Sequence, residues 1–160
     1  MEVCETVVGE EMILKVLKDD DEALRVISTP TLLTEGVRDL VRDMKETMLS
    51  LNGIGLAAPQ VGVNLRVIVI QLMSAGKLVG PVQEMINPVI TNHSEELIEY
   101  EEGCLSIPGE YIKLERPRSI DVKFQDLRGK YKRWHLKGLE ARIVQHEIDH
   151  LDGVLMTDYN

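Results

Sequence analysis

The sequence feature that most constrains this chain is the segment IVQHEIDHLDG near its C-terminal end. Four residues recur at steps of four, three and four and so share one helical face: Leu139, Ile143, His146 and His150. The two histidines then lie one turn apart, about 6 Å between Cβ atoms, with Glu147 beside the first. In His-Glu-x-x-His, the imidazoles bind one metal ion and the glutamate reaches its water. The segment therefore predicts a metal site that faces the protein interior.

The classes of metalloenzyme that use this helix differ in the residue that supplies the third metal ligand. The extended zinc-protease motif needs a histidine at position 156, which is Met156, and no glutamate follows His150. Asp152 lies too close along the helix, and Asp158 lies in a short tail. We therefore expect the third ligand to come from an upstream segment.

The upstream candidates are Cys104, His93, His135 and numerous carboxylates. Cys104 stands in EEGCLSIPG, where Gly103 permits a close backbone approach and Pro108–Gly109 is expected to end the segment in a turn. A thiolate with two imidazoles leaves an open coordination position, as catalytic metal sites do. In the alternative interpretation, Cys104 is a small buried apolar residue. His93, in a polar loop, and His135, in an alternating strand, are expected to be non-ligands.

A second unusual segment, NGIGLAAPQVG, keeps its side chains small over most of its length. It lacks the Gly-Lys-Ser/Thr of a P-loop and the third glycine of a dinucleotide loop. It is either a simple connection between helix and strand or a segment in which Gln60 donates a hydrogen bond to a ligand.

Hydrophobic periodicity predicts a helix at each end of the chain and strands between them. The N-terminal helix spans 34–51, with Thr34 as N-cap and Asn52-Gly53 as its stop signal. The predicted strands are 65–71, Ser119–Gln125 and 131–136, of which the last two form a hairpin, and the second helix spans 139–151. This order predicts an α+β domain.

Length and composition limit the function further. A chain of 160 residues suits one domain with a real core, and its net charge of −9 disfavours direct nucleic-acid binding. No run of eighteen apolar residues and no basic segment before an apolar stretch is present, so we expect neither a membrane span nor a secretory signal. Two cysteines make no disulfide framework, which favours a reduced, cytoplasmic setting.

Three motifs in order, GIGLAAPQ, EGCLS and QHEIDH, show that the chain resembles the peptide deformylases over about residues 12–159. The resemblance implies an α+β fold with small mixed or antiparallel sheets packed around a C-terminal His-Glu-x-x-His helix. It also implies a metal-dependent hydrolase that removes the N-formyl group from the formylmethionine of nascent polypeptides and releases formate.

The resemblance implies a role for each residue that matches the motifs. The implied metal ligands are Cys104, His146 and His150. The implied catalytic groups are Glu147 as general acid/base, and Gln60 with the backbone N–H of Leu105 as oxyanion hole. The implied substrate-binding residues are Ile54, Gly55, Gly103, Leu139 and Ile143. Glu102 matches a position that pairs with an arginine in the family, and Arg116 is the expected partner.

The implied cofactor is one divalent metal ion, Fe²⁺, for which Zn²⁺, Ni²⁺ or Co²⁺ can substitute. The implied partner is the N-formylmethionyl nascent peptide in a bacterial or phage-infected host cytoplasm, without membrane or nucleic-acid contact. We expect one catalytic domain over 1–160, in which residues 1–11 are an N-terminal extension. The short tail after His150 gives no support for a ribosome contact.

Two other functions remain open at this point. A His-Glu-x-x-His metallopeptidase would share the helix, although its usual third ligand is missing. A non-catalytic metal-binding homologue would share the fold, although the loss of Glu147, Gln60 or Cys104 that would mark it has not occurred.

Overall fold

The computed structural model describes residues 12–159, and within that range the chain forms two α-helices, three short 3-10 helices and seven strands. The α-helices are α1 (Glu35–Ser50) and α2 (Gly138–Leu151). The strands are β1 (Gly55–Ala57), β2 (Val67–Gln71), β3 (Val82–His93), β4 (Leu97–Cys104), β5 (Ile107–Pro117), β6 (Ser119–Gln125) and β7 (Tyr131–Lys137). The expected N-terminal extension, residues 1–11, lies outside the described residues.

The strands form two antiparallel sheets. Five of them pair in the order β1-β2-β3-β6-β7, while β4 and β5 make a separate two-stranded sheet. Helix α2 packs on the larger sheet and also contacts β5. The predicted α+β fold, with small sheets around a C-terminal His-Glu-x-x-His helix, is therefore confirmed. No helix in the described range is long and apolar enough to cross a membrane.

Strand β2 lies between the two helices. Val67 and Val69 belong to the apolar cluster that includes α1, whereas Ile68 and Ile70 belong to the cluster that includes α2. Because successive side chains of a strand point to opposite faces, both faces of β2 are covered. This explains why residues 67–70 of the predicted strand, VIVI, form a continuous apolar run instead of an alternating pattern.

The predicted boundaries of the first helix are confirmed. The Thr34 side chain accepts a hydrogen bond from the Val37 N–H at 3.2 Å, as an N-cap should. At the other end Asn52 adopts a φ of 55°, and the Gly53 N–H donates to the Met48 carbonyl at 2.8 Å. The Thr34 side chain therefore caps the start of α1, and the backbone conformation at Asn52-Gly53 ends the helix.

The predicted hairpin is confirmed as β6 and β7, which pair along their whole length from Ser119 opposite Lys137 to Gln125 opposite Tyr131. Helix α2 begins directly after β7. The short connection sets α2 against the larger sheet and fixes the direction in which the face that carries His146 points.

The expectation of a turn at Pro108–Gly109 is wrong. The chain reverses at residues 105–106, and Pro108–Gly109 lies inside β5. Gly109 adopts a φ of 78° where the pairing register shifts, so this glycine serves an irregularity within the strand and not a chain reversal. His93, expected in a loop, is the last residue of β3.

Candidate metal centre

Three potential metal ligands converge from two elements. Cys104 ends β4, while His146 and His150 lie one turn apart on α2. Their ligand atoms all lie within 4.8 Å of one another, and Cys104 Sγ is 3.4 Å from His150 Nε2. Both histidines are buried, and Cys104 is half-buried. Within residues 12–159 no other group of His, Cys, Asp or Glu side chains has this geometry.

The two other upstream histidines lie away from this group. His135 is exposed on β7, and its Nδ1 lies 2.7 Å from Asp121 Oδ1. His93 is exposed at the end of β3. Neither belongs to the cluster, as the sequence predicts.

The carboxylate of Glu102 connects the cluster to two buried arginines. Its Oε1 lies 2.8 Å from His146 Nδ1 and accepts from Arg116 Nη2 at 2.9 Å. Its Oε2 accepts from Arg116 Nε at 2.5 Å and from Arg142 Nη1 at 2.6 Å. Burial opposes the charge, but hydrogen bonds from His146 and Arg116 outweigh it and lower the pKa of Glu102 to about 2. An ionised Glu102 thus orients the His146 ring so that the other nitrogen can bind a metal.

The expected pair between Glu102 and Arg116 is therefore confirmed, but the contribution of Arg142 was not predicted from the sequence. That residue lies four positions before His146 and so shares its helical face. In the sequence, this second arginine on the metal-binding face could have indicated that Arg142 also pairs with a buried carboxylate. Arg142 also donates to the carbonyls of Leu114 and Ile98, which joins β4 and β5 to α2.

Arg116→Ala is expected to lower the free energy of unfolding by roughly 3 kcal/mol, because breaking a buried ion pair leaves its partner charge uncompensated. Arg142 and His146 still contact Glu102 in this variant, so we expect the lower end of the usual range. Chemical denaturation and competition with a chelator measure the stability and the metal affinity, and both should fall.

Arg118→Ala is the matched control. Arg118 pairs with Glu96 at 3.0 Å, but both side chains are more than half exposed, and such surface pairs contribute little. If the variants at Arg116 and Arg118 were equally stable and bound metal equally well, the buried network would have no role in the site.

The electrostatics of the cluster favour a bound cation. Burial lowers the pKa of His150 to about 3, which keeps this imidazole in its neutral, metal-binding form. Burial also disfavours a charge on His146, but hydrogen bonds to Cys104 and Glu102 raise its pKa to about 10. The groups around His146 thus attract a positive charge, which a divalent ion can supply in place of a proton. Together the thiol and the two imidazoles fit a metal ion.

Glu147 lies beside the ligands without belonging to them. It is 4% exposed, its Oε1 is 3.9 Å from His146 Nε2, and burial raises its pKa to about 7. Its Oε2 has no hydrogen-bond partner among the described residues. A Cβ on Gly55 would approach Glu147 Oε1 to 2.8 Å, so the absence of a side chain there makes room for the carboxylate. Glu147 is thus a buried carboxyl group beside Nε2 of His146 and outside the group of three potential ligands.

The Gln60 carboxamide contacts the cluster at Cys104, from the segment that follows β1. Its Oε1 accepts from the Ala57 N–H at 2.9 Å, and its Nε2 lies 3.1 Å from Ser106 Oγ and 3.6 Å from Cys104 Sγ. Since a backbone N–H can only donate, the contact with Ala57 fixes which end of the amide faces the sulfur. Ser106 was not predicted as a site residue from the sequence, although it closes the EGCLS motif.

A cavity of about 610 Å³ opens beside the cluster. Its walls include all five residues expected to bind substrate, which are Ile54, Gly55, Gly103, Leu139 and Ile143. Cys104, Leu105, His146 and Glu147 also line it, whereas Gln60 and His150 do not and instead contact Cys104. The exposed Tyr100 and Tyr111 also border this cavity and were not predicted from the sequence.

Comparison with known proteins gives consistent similarities. The polypeptide deformylase family model matches residues 13–160. A peptide deformylase from Dictyoglomus turgidum is 45% identical over 148 residues, which cover 92% of each chain. Another, from Prochlorococcus marinus strain NATL2A, is 47% identical over 146 residues, 91% of this chain and 72% of the relative.

Solved structures agree with the sequence comparison. A probable peptide deformylase from Synechococcus phage S-SSM7 matches with a TM-score of 0.86 at 46% identity, over 92% of this chain and 99% of that one. A peptide deformylase from Synechococcus elongatus, solved in complex with actinonin, matches with a TM-score of 0.85 at 41% identity, over 91% of this chain and 79% of that one.

Proposed function

Because the chain belongs to the polypeptide deformylase family, we propose that Cys104, His146 and His150 hold the one divalent metal ion of its reaction. The chain is a metal-dependent hydrolase that removes the N-formyl group from the N-terminal formylmethionine of nascent polypeptides and releases formate. The observation that carries the proposed site is the convergence of these three ligands beside Glu147 at the wall of one cavity.

The donor set suits a catalytic metal. A thiolate and two neutral imidazoles leave a coordination position open, and soft sulfur with imidazole nitrogen is a ligand set that both iron and zinc accept. When bound, a divalent ion would act as a Lewis acid and would lower the pKa of a water molecule, so that hydroxide would be available near neutral pH. The Cys104 thiolate offsets part of the positive charge of the site.

Glu147 is the proposed general acid/base. Its carboxylate, whose Oε1 lies 3.9 Å from His146 Nε2, takes the proton of the attacking water and then delivers that proton to the leaving amine nitrogen. A pKa of about 7 suits a group that must both accept and donate a proton near neutrality. The carboxyl group completes this cycle without becoming a metal ligand.

Two donors are proposed for the oxygen of the formyl group. The Gln60 Nε2 lies 3.6 Å from Cys104 Sγ, and Leu105, which directly follows Cys104 in the chain, lines the cavity. The Gln60 amide and the Leu105 backbone N–H are the proposed pair. As negative charge develops on the formyl oxygen, each donor contributes about 3 kcal/mol to stabilising it.

The cavity is the proposed site for the methionine side chain. Ile54, Leu139 and Ile143 give it an apolar wall, which suits an unbranched thioether. Gly55 and Gly103 expose backbone to the substrate, and a Cβ on Gly103 would come within 2.9 Å of the Tyr111 ring. The absence of side chains at Gly55 and Gly103 thus lets Glu147 and Tyr111 pack at the wall of the cavity.

Formate release tests the function directly. Metal-loaded protein should release formate from a formyl-methionyl peptide and leave the same peptide without the formyl group intact. Cleavage of internal peptide bonds in the unformylated peptide would instead favour a metallopeptidase.

We propose Fe²⁺ as the metal in the cell. Zn²⁺ exceeds Fe²⁺ in the usual affinity order, so metal supply and not affinity would decide occupancy. Iron beside a thiolate and an open position invites oxidation of both the ion and Cys104. We expect anaerobic Fe²⁺ protein to release more formate per bound metal than the Zn²⁺ form and to decay in air, while Ni²⁺ or Co²⁺ forms last longer. A Zn²⁺ form as active as fresh iron protein, with an air-stable iron form, would contradict this assignment.

We propose a single catalytic domain in which residues 1–11, outside the described range, are dispensable. None of the proposed site residues lies in this segment. Deleting it should leave kcat/KM for a formyl-methionyl peptide and the melting temperature unchanged. A large loss of either would show that the segment contributes to the active enzyme.

The proposed partner is the N-formylmethionyl peptide, and the proposed compartment is a bacterial or phage-infected host cytoplasm. Contacts with ribosome, membrane or nucleic acid are not part of the proposal. Fractionation of expressing cells tests the compartment, and recovery of the protein with the membrane fraction would contradict it.

A further inference from the structure

The Gln60 carboxamide has two N–H bonds and two neighbours for them. Its Nε2 lies 3.1 Å from Ser106 Oγ and 3.6 Å from Cys104 Sγ, while its Oε1 is occupied by the Ala57 N–H. One N–H therefore points to Ser106, and the other points to the side of the Cys104 sulfur. Without Ser106, the contact with Ala57 alone would leave the amide plane free to rotate.

We infer that Ser106 is a positioning residue for the reaction, because its hydroxyl accepts one N–H of Gln60 and thereby aims the other at the formyl oxygen. Ser106 itself does not line the cavity, and it acts through the Gln60 amide that it contacts. It is 0% exposed and Gln60 is 1% exposed, so no solvent molecule competes for this hydrogen bond. The inference rests on the proposed role of Gln60 as a donor.

The backbones of both residues are fixed by one segment. The Leu17 N–H donates to the Gln60 carbonyl at 2.7 Å, and the Asp19 N–H donates to the Ser106 carbonyl at 3.0 Å. The two residues, 46 positions apart, therefore keep a constant separation. Because the two backbones are held in place, the side-chain hydrogen bond between Gln60 and Ser106 determines only the orientation of the carboxamide.

A double-mutant cycle of Ser106→Ala and Gln60→Ala tests the inference. Ser106→Ala should lower kcat for a formyl-methionyl peptide roughly five- to tenfold, the effect of one lost hydrogen bond, with little change in KM. In the Gln60→Ala background the same change should have almost no further effect, because the amide that Ser106 orients is gone. Equal effects of Ser106→Ala in both backgrounds would overturn the inference.

Ser28→Ala is the matched control. Ser28 is also a buried serine, 3% exposed, and its hydroxyl has no hydrogen-bond partner among residues 12–159. It should leave kcat unchanged. If this control lost as much kcat as Ser106→Ala, the effect of Ser106→Ala would reflect general destabilisation, and the inference would be overturned.

A second readout does not depend on turnover. In a ¹⁵N–¹H spectrum of the zinc-loaded protein, the side-chain amide pair of Gln60 is identified by its disappearance in Gln60→Ala. Ser106→Ala should move one proton of this pair upfield, and Ser28→Ala should not. An unchanged pair would show that Ser106 does not hold the carboxamide.

The outcomes separate this inference from the proposed function. If Gln60→Ala leaves kcat unchanged while the parent protein releases formate, the donor role of Gln60 fails and the inference fails with it. If Gln60→Ala is impaired but the cycle is additive, only the inference about Ser106 fails.

Discussion

Glu147→Gln is expected to lower kcat for formate release on the order of a thousandfold or more, while one metal ion stays bound, because general acid–base groups contribute roughly 10²–10⁴. Glutamine keeps the size and shape of the side chain but cannot take the proton of the attacking water. Its neighbours, Cys104, His146 and His150, are unchanged. Formate release and metal content, measured on the same sample, distinguish a lost proton carrier from a lost metal site.

Glu140→Gln is the control for this variant. Glu140 lies on the same helix, where its carboxylate accepts from the Met73 N–H, and it is not among the proposed site residues. It should retain the activity of the parent protein. Near-normal formate release by Glu147→Gln would remove Glu147 from the mechanism, and loss of the metal would identify it as a ligand.

Gln60→Ala is expected to lower kcat on the order of a hundredfold or more, as loss of one oxyanion donor should. KM should change little, because the hydrogen bond strengthens only as charge develops on the formyl oxygen. The fold should persist, since Gln60 contributes no apolar packing to either main core cluster. Steady-state kinetics with a formyl-methionyl peptide and the melting temperature check both statements.

Gln83→Ala provides the matched truncation of a glutamine outside the site. Its amide donates to the carbonyl and the carboxylate of Glu84 in the strand β3. Its kcat should equal that of the parent. A rise in KM for Gln60→Ala with unchanged kcat would assign Gln60 to ground-state binding instead.

Elements with a local hydrophobic signal could be predicted from the sequence. Both helices and the hairpin of β6 and β7 bury one face, so their apolar residues recur with the period of the element, whereas β2 is buried on both faces and shows as a short continuous apolar run. The start of α1 could be predicted as well, because the Thr34 side chain caps the helix through a local hydrogen bond.

The strands β3, β4 and β5 could not be predicted in the same way. Strand β4 is mostly exposed and strongly acidic, and its one fully buried residue is the charged Glu102, so it shows no apolar alternation. Strand β3 is interrupted at Asn87, which adopts a φ of 52° beside a register shift. Strand β5 pairs with β4 across the turn at 105–106, and its burial alternates only over 112–116, where one of the three buried residues is the charged Arg116. The apolar signal of these strands is therefore short or absent.

The candidate site was more predictable than the fold around it. Metal ligands must be of a few residue types, so the spacing of His146 and His150 indicated a metal site, and the resemblance to the family's motifs proposed Cys104 as the third ligand. Arg142 and Ser106 could not, because each acts through another side chain. Their importance depends on burial and on which group they meet, and only the packed structure determines both.

We propose that formyl removal requires one metal ion held by Cys104, His146 and His150. The most direct test is an anaerobic titration of metal-free protein with Fe²⁺, in which formate release from a formyl-methionyl peptide is followed against added metal. We expect no release before metal is added, a linear rise as Fe²⁺ is added, and a plateau at one ion per chain. Cys104→Ala should lose this response at the same metal concentrations. Formate release without metal, or an unchanged titration in Cys104→Ala, would contradict the proposal.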